Sequence, residues 1–129
     1  MFVDASALVA FLGREQGFEL IGYKIEQAGK IYVSPIVVWE AVLGLVRSHA
    51  LPFERAESVV NIFMEEVKAS SVAIDAKVGR LALEASRKYG KGRHPAGLNF
   101  GDCFSYACAK AFRLPLLYVG DDFTKTDLA

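Results

Sequence analysis

Ile31-Tyr32-Val33-Ser34-Pro35-Ile36-Val37-Val38-Trp39-Glu40 reads as a strand that turns directly into a helix. Residues 31–33 are β-branched or aromatic, as in a buried strand. Ser34 can cap a helix, and Pro35 suits its first turn, where a missing N–H costs nothing. The helix is expected to run to about His49. Similar units lie on either side. Phe2-Val3 is a short strand leading to Asp4 and a helix over Ala5–Leu12, with Ser6 as cap or first-turn hydroxyl. A surface helix over 19–27 is stopped by Gly29. Leu51-Pro52 breaks the chain before an amphipathic helix over 54–68, with Val59, Val60, Phe63, Met64 and Val67 on one side. A strand over 71–74 precedes Asp75, which caps a helix reaching about Tyr89. A polar loop over 90–98 leads to Asn99, and a helix from 99–102 through Phe112. The last strand, 116–119, runs into Gly120-Asp121-Asp122. The order β-α-α-β-α-α-β-α-α-β predicts an α/β fold, with helices on both faces of a parallel sheet.

The chain of 129 residues fits one domain, 1–129, and is long enough to fold without a staple. Hydrophobic residues make up 53% and mean hydropathy is +0.26. That richness points to a buried subunit face beside the core. Net charge is zero, so the whole chain does not announce a polyanionic partner. Cys103 and Cys108 would lie about 140° apart around a helix, too far round to pair, and read as small core residues in a reducing compartment. Met1-Phe2-Val3-Asp4 lacks the basic start and long apolar run of a secretory signal. The uncharged stretch 31–39 contains Pro35 and falls far short of the roughly 20 residues that span a bilayer. A cytoplasmic location is expected.

The acids fall where an open parallel sheet places its ligands, outside the carboxyl ends of the strands. Asp4 ends the first strand and Asp121-Asp122 follow the last. Asp102 opens a late helix, and Glu40 lies inside the helix after the second strand. Glu40 carries most weight. Val37, Val38, Trp39, Ala41, Val42, Leu43, Leu45 and Val46 surround it, and Arg47 is two turns away. A carboxylate in such a helix needs a partner or a metal. Singly, Asp4 and Asp102 would pass as caps and Gly120-Asp121-Asp122 as a turn. Gathered at one sheet edge, the acids suit phosphodiester hydrolysis. Hard oxygen donors select Mg²⁺ or Mn²⁺, which lower the pKa of water and stabilise a leaving oxygen. His49 ends a helix and His94 lies in a loop, so neither is placed to replace the acids.

These residues match a known pattern. Met1-Phe2-Val3-Asp4-Ala5-Ser6-Ala7-Leu8 resembles the first motif of PIN-domain nucleases. Ser34-Pro35-Ile36-Val37-Val38-Trp39-Glu40 is similar to the second, and Asn99-Phe100-Gly101-Asp102-Cys103-Phe104-Ser105-Tyr106-Ala107 to the third. Val119-Gly120-Asp121-Asp122-Phe123-Thr124-Lys125-Thr126-Asp127-Leu128 is similar to the fourth. Four motifs in order across nearly the whole chain resemble the VapC-type toxins of bacterial toxin–antitoxin pairs. The resemblance implies a single PIN domain with an α/β/α sandwich and Mg²⁺- or Mn²⁺-dependent endoribonuclease activity. It implies Asp4, Glu40 and Asp102 as metal ligands, direct or through water. The fourth acid is Asp121 or Asp122, which the motif leaves open, with Asp121 carried among the metal ligands. Ser6 resembles a hydroxyl that orients the acids, and Thr126 would brace the last turn. Asp127 reads as a cap. The resemblance also implies a homodimer and a VapB-type antitoxin, joined in a hetero-oligomer, with the antitoxin's tail across the active-site groove.

The one dense basic run, Arg87-Lys88-Tyr89-Gly90-Lys91-Gly92-Arg93-His94, leads toward Asp102. Arg87, Lys88, Lys91 and Arg93 are candidates for RNA phosphates, and Tyr89 for stacking on a base. Lys110 and Arg113 would extend the patch. Other readings are a non-catalytic PIN-like module that binds RNA or a partner, and a housekeeping RNA-processing PIN nuclease. A haloacid dehalogenase-type phosphatase is disfavoured. It needs a second Asp two residues after the first, where this chain has Ser6.

Overall fold

Four short strands, β1 (Phe2–Val3), β2 (Tyr32–Val33), β3 (Ser70–Ser71) and β4 (Leu116–Leu117), alternate with six helices. These are α1 (Ala5–Leu12), α2 (Phe18–Ala28), α3 (Pro35–His49), α4 (Phe53–Glu66), α5 (Ala76–Tyr89) and α6 (Phe100–Ala111). They come from a computed structural model that describes residues 1–129. All strand pairs are parallel, in the order β3-β2-β1-β4. Phe2 is in register with Tyr32 on one side and Leu116 on the other. The chain steps from β1 through β2 to β3, then returns to the far side of β1 for β4. That reversal opens a crevice beyond the carboxyl ends of β1 and β4. The element order and the helix–sheet–helix layering agree with the sequence reading.

Helix starts follow their caps. The Ser34 hydroxyl accepts the Val37 N–H at 3.1 Å, and Asp75 accepts that of Val78 at 3.0 Å. Asn99 and Asp102 form a reciprocal capping box at 2.9 and 3.1 Å. The cap of α1 is Asp4, and Ser6 is the first-turn hydroxyl, the other of its two expected roles. The strands are shorter than the apolar runs suggested. The ladder beside β2 ends where the Val72 N–H reaches the Val33 carbonyl, at 2.8 Å. The chain must leave the sheet there to present Asp75 as a cap. Beyond β4, the Val119 N–H is taken by the Ser6 hydroxyl at 3.1 Å rather than by a strand.

One cluster of 31 buried apolar residues runs through the molecule. Phe2, Val3 and Val33 supply its sheet layer, and Leu8, Leu45, Val60 and Val78 are fully buried helix residues. Each contributes about 1.5–3 kcal/mol by leaving water. The amphipathic stripe of α4 belongs to this core: Val60 and Phe63 are buried, with Val59, Met64 and Val67 packed against it. Gly44 lets α1 and α3 approach closely, since a Cβ there would come 2.8 Å from Val9 Cγ2. Cys103 and Cys108 are buried free thiols. Burial pushes both thiols up, Cys108 to about 11. No helix is long and apolar enough to cross a membrane.

Candidate active site

Asp4 stands at the carboxyl end of β1 and is only 4% exposed. Its carboxylate is held from three sides. Ser105 Oγ donates to Oδ1 at 2.6 Å, while the Ser6 hydroxyl and backbone N–H donate to Oδ2 at 2.6 and 3.1 Å. Ser6 Oγ in turn accepts the Val119 N–H. Two serines thus tie the end of β1 to α6 and to the segment after β4. Ser6 therefore stands beside an acid. Ser105 escaped the sequence reading. The available signal was its place three residues after Asp102, on the same helical face.

Asp102 sits in the first turn of α6, 8% exposed, with Oδ2 accepting the Asn99 N–H. Burial pushes its carboxyl up to about 7. The Asn99 hydrogen bond opposes this, and the charges of Asp122 and Asp4 add to it. Glu40 is raised as well, first by burial and then by Asp4, with Arg47 acting in the opposite direction. The Glu40 side chain reaches over Gly101, where any Cβ would overlap its carboxylate. α3 is buried in part, as its composition suggested: Val37, Ala41, Val42 and Leu45 are buried. Trp39 is 65% exposed and Glu40 is half-buried. The helix shows one face to a cleft and another to solvent.

That cleft, about 380 Å³, is lined by Asp4, Glu40, Asp102, Asp122, Glu15 and Arg47, among others. Of the two adjacent aspartates, only Asp122 lines it. The Asp121 carbonyl instead accepts the Thr124 N–H at 3.1 Å and its hydroxyl at 2.6 Å, which closes the turn. Consecutive side chains diverge, and the turn decides which faces inward. No three of the carboxylates close on one point as a ready-made metal cage. The donor set is nevertheless all oxygen, without histidine or cysteine, and burial first, then the neighbouring carboxylates, already raise two of the acids. Both facts fit a hard divalent cation. A histidine does approach the rim: His49 Nε2 lies 2.7 Å from Glu15 Oε2.

The remaining candidates lie apart from the cleft. Thr126 braces the last turn, donating to the Phe123 carbonyl at 2.8 Å and accepting the Leu128 N–H at 3.1 Å, without touching an acid. Asp127 is not a cap. It binds Lys110 at 2.5 Å and the Tyr106 hydroxyl at 2.6 Å, so the C-terminal turn is pinned to α6. Burial pushes the Asp127 carboxyl up, but these two bonds outweigh it and hold the group below its ordinary value. Tyr89 is buried against Tyr106 and His94, so it is not free to stack on a base. Lys88 lies over its ring at 5.1 Å, and Arg87 pairs loosely with Glu84 at 3.9 Å. Arg93 is exposed on the loop. Lys91 lines an apolar groove between α5 and α6 that meets the acidic cleft at Asn99.

The chain is similar to known proteins over nearly its whole length. A family model described as the PIN domain matches residues 1–128. A VapC ribonuclease of Rhizobium meliloti (strain 1021) is 43% identical over 98% of each chain. Ribonuclease VapC of Mycolicibacterium smegmatis is 38% identical, covering 100% of this chain and 98% of its own. Ribonuclease VapC30 of Mycobacterium tuberculosis is 38% identical, covering 100% and 96%.

Proposed function

This chain belongs to the PIN-domain family, among the VapC ribonucleases, and from that membership we propose that it is a metal-dependent endoribonuclease, the toxin of a toxin–antitoxin pair. The observation that carries the reading is the convergence of Asp4, Glu40, Asp102 and Asp122 on one cleft at the switch point of the sheet.

Asp4, Glu40, Asp102 and Asp122 would hold Mg²⁺ or Mn²⁺. When bound, the ion supplies charge neutralisation, acidification of water and stabilisation of the leaving oxygen. The chain's own residues do the placing. Ser6 and Ser105 fix the Asp4 carboxylate, the Asn99 cap fixes that of Asp102, and bare Gly101 leaves room for that of Glu40. Without a cation the cluster repels the phosphodiester it must meet, so the metal-free protein should be inert. Asp121 serves the turn in this reading, and Thr126 steadies it.

RNA would pass from the cleft along the groove at Asn99 toward Lys91. Arg87, Lys88 and Arg93 would add phosphate contacts that weaken with salt. A VapB-type antitoxin would silence the site by placing a cationic side chain on the acids. Leu83 and Phe100, 73% and 68% exposed beside the groove, favour a partner there, a second copy or the antitoxin. Reduced, buried cysteines suit the cytoplasm.

The test is cleavage of total cellular RNA with Mg²⁺, with Mn²⁺ and with excess chelator, beside folded Asp4→Asn and Asp102→Asn variants. Discrete products that vanish with chelator and in both variants are expected. Full activity in folded Asp102→Asn, or no cleavage of any RNA by antitoxin-free protein, would overturn the reading.

A further inference from the structure

We propose that Arg47 is a phosphate-binding residue of the cleft, gripping the RNA backbone beside the scissile position. The inference rests on the ribonuclease reading and extends it to a residue outside the four motifs.

Arg47 follows Glu40 by seven residues on α3, two turns on and on the same face, about 10 Å along the axis. It lines the same cleft as Asp4, Glu40, Asp102, Asp122 and Glu15, and is the one lysine or arginine that does so. With a metal neutralising part of its five carboxylates, the cleft still has Arg47 as its one fixed side-chain cation to meet a phosphate. Arg47 is exposed, and no carboxylate lies within 4.0 Å of it. Its guanidinium is therefore in no close ion pair, although its charge acts on Glu40 across the cleft. His49 has already engaged Glu15. Gly44 and Ser48 line the cleft beside it, one without a side chain and one with a hydroxyl donor. The planar fork of arginine suits two oxygens of one phosphate. A cation in the last turn of a helix is also at home with its dipole. That alone does not require it to face the acids.

The test uses a random-sequence single-stranded RNA of about 12 nucleotides, labelled with a fluorophore and a quencher. Cleavage by wild type, Arg47→Ala and Arg47→Lys is followed in Mg²⁺ from about 50 to about 200 mM salt. Binding of the fluorophore-labelled pool is read by anisotropy in the cleavage-silent Asp102→Asn background, with and without Arg47→Ala. Arg47→Ala is expected to raise KM about 10-fold with a smaller loss in kcat. It should weaken binding similarly and lower the salt slope by about 0.7. Arg47→Lys should recover part of each. Unchanged KM, binding and salt slope, with kcat alone reduced or its pH profile moved, would overturn the proposal and make Arg47 a partner of Glu40. Failure of wild type to bind or cleave any RNA would instead remove the ribonuclease reading, and this proposal with it.

Discussion

Two neighbouring aspartates show how a single turn assigns chemistry. Asp121 and Asp122 are indistinguishable in the sequence, yet Asp122 lines the cleft while the Asp121 carbonyl closes a turn with Thr124. Asp122→Asn is therefore expected to lower RNA cleavage at least about 100-fold, and Asp121→Asn to leave it within about twofold. Equal loss in both, measured side by side, would remove the distinction. Gly101 makes a second case. Gly101→Ala places a methyl where the Glu40 carboxylate lies, while raising helix propensity by up to about 1 kcal/mol. Activity should fall about 10- to 100-fold with no drop in melting temperature. Unaltered cleavage would show that Glu40 acts from elsewhere.

At the scale of elements, caps and strand ends do two jobs. The Asn99–Asp102 box starts α6 and orients a carboxylate of the cleft in the same four residues. Asn99→Ala should cost about 1 kcal/mol in urea unfolding and lower cleavage as well, because the Asn99 side chain no longer fixes the turn. An unfolding midpoint equal to wild type would mean that α6 does not depend on this cap. Helix bounds were readable because caps are local: Ser34, Asp75 and Asn99 announce themselves within three or four residues. Strand lengths were not. Hydrogen-bonded pairing needs a neighbour, and the edge strand Ser70–Ser71 loses its partner where the chain bends to offer Asp75.

For the whole molecule, the acidic cleft trades stability for function. Asp102 is raised to about 7 and Glu40 is also raised, so the folded state binds more protons than the unfolded state between their ordinary and raised values. Stability must then fall as pH rises through that window. The metal-free protein is expected to melt lower at pH 8 than at pH 5. Asp102→Asn should flatten the difference and stabilise the protein at pH 8. Discounted for solvent screening, about 1 kcal/mol is at stake, or roughly 3 to 6 °C. Excess Mg²⁺ should raise the midpoint more at pH 8 than at pH 5, since it binds the ionised cluster. A pH-independent midpoint in calorimetry would show that the acids are already neutralised by something else.

Sequence alone determined the order of elements, the parallel sheet and the acids Asp4, Glu40 and Asp102 as candidates. Periodicity, caps and motif spacing are properties of short segments, and they survive without a partner. Only the tertiary structure decided that Asp122 rather than Asp121 faces the cleft, that Ser105 holds Asp4 across 101 residues, and that Tyr89 is core. It also turned Arg47, two turns from the acid it follows, into the cation of an acidic cleft. Each of these depends on which elements come to lie side by side. That is set by burial of one common core, not by any local run of residues.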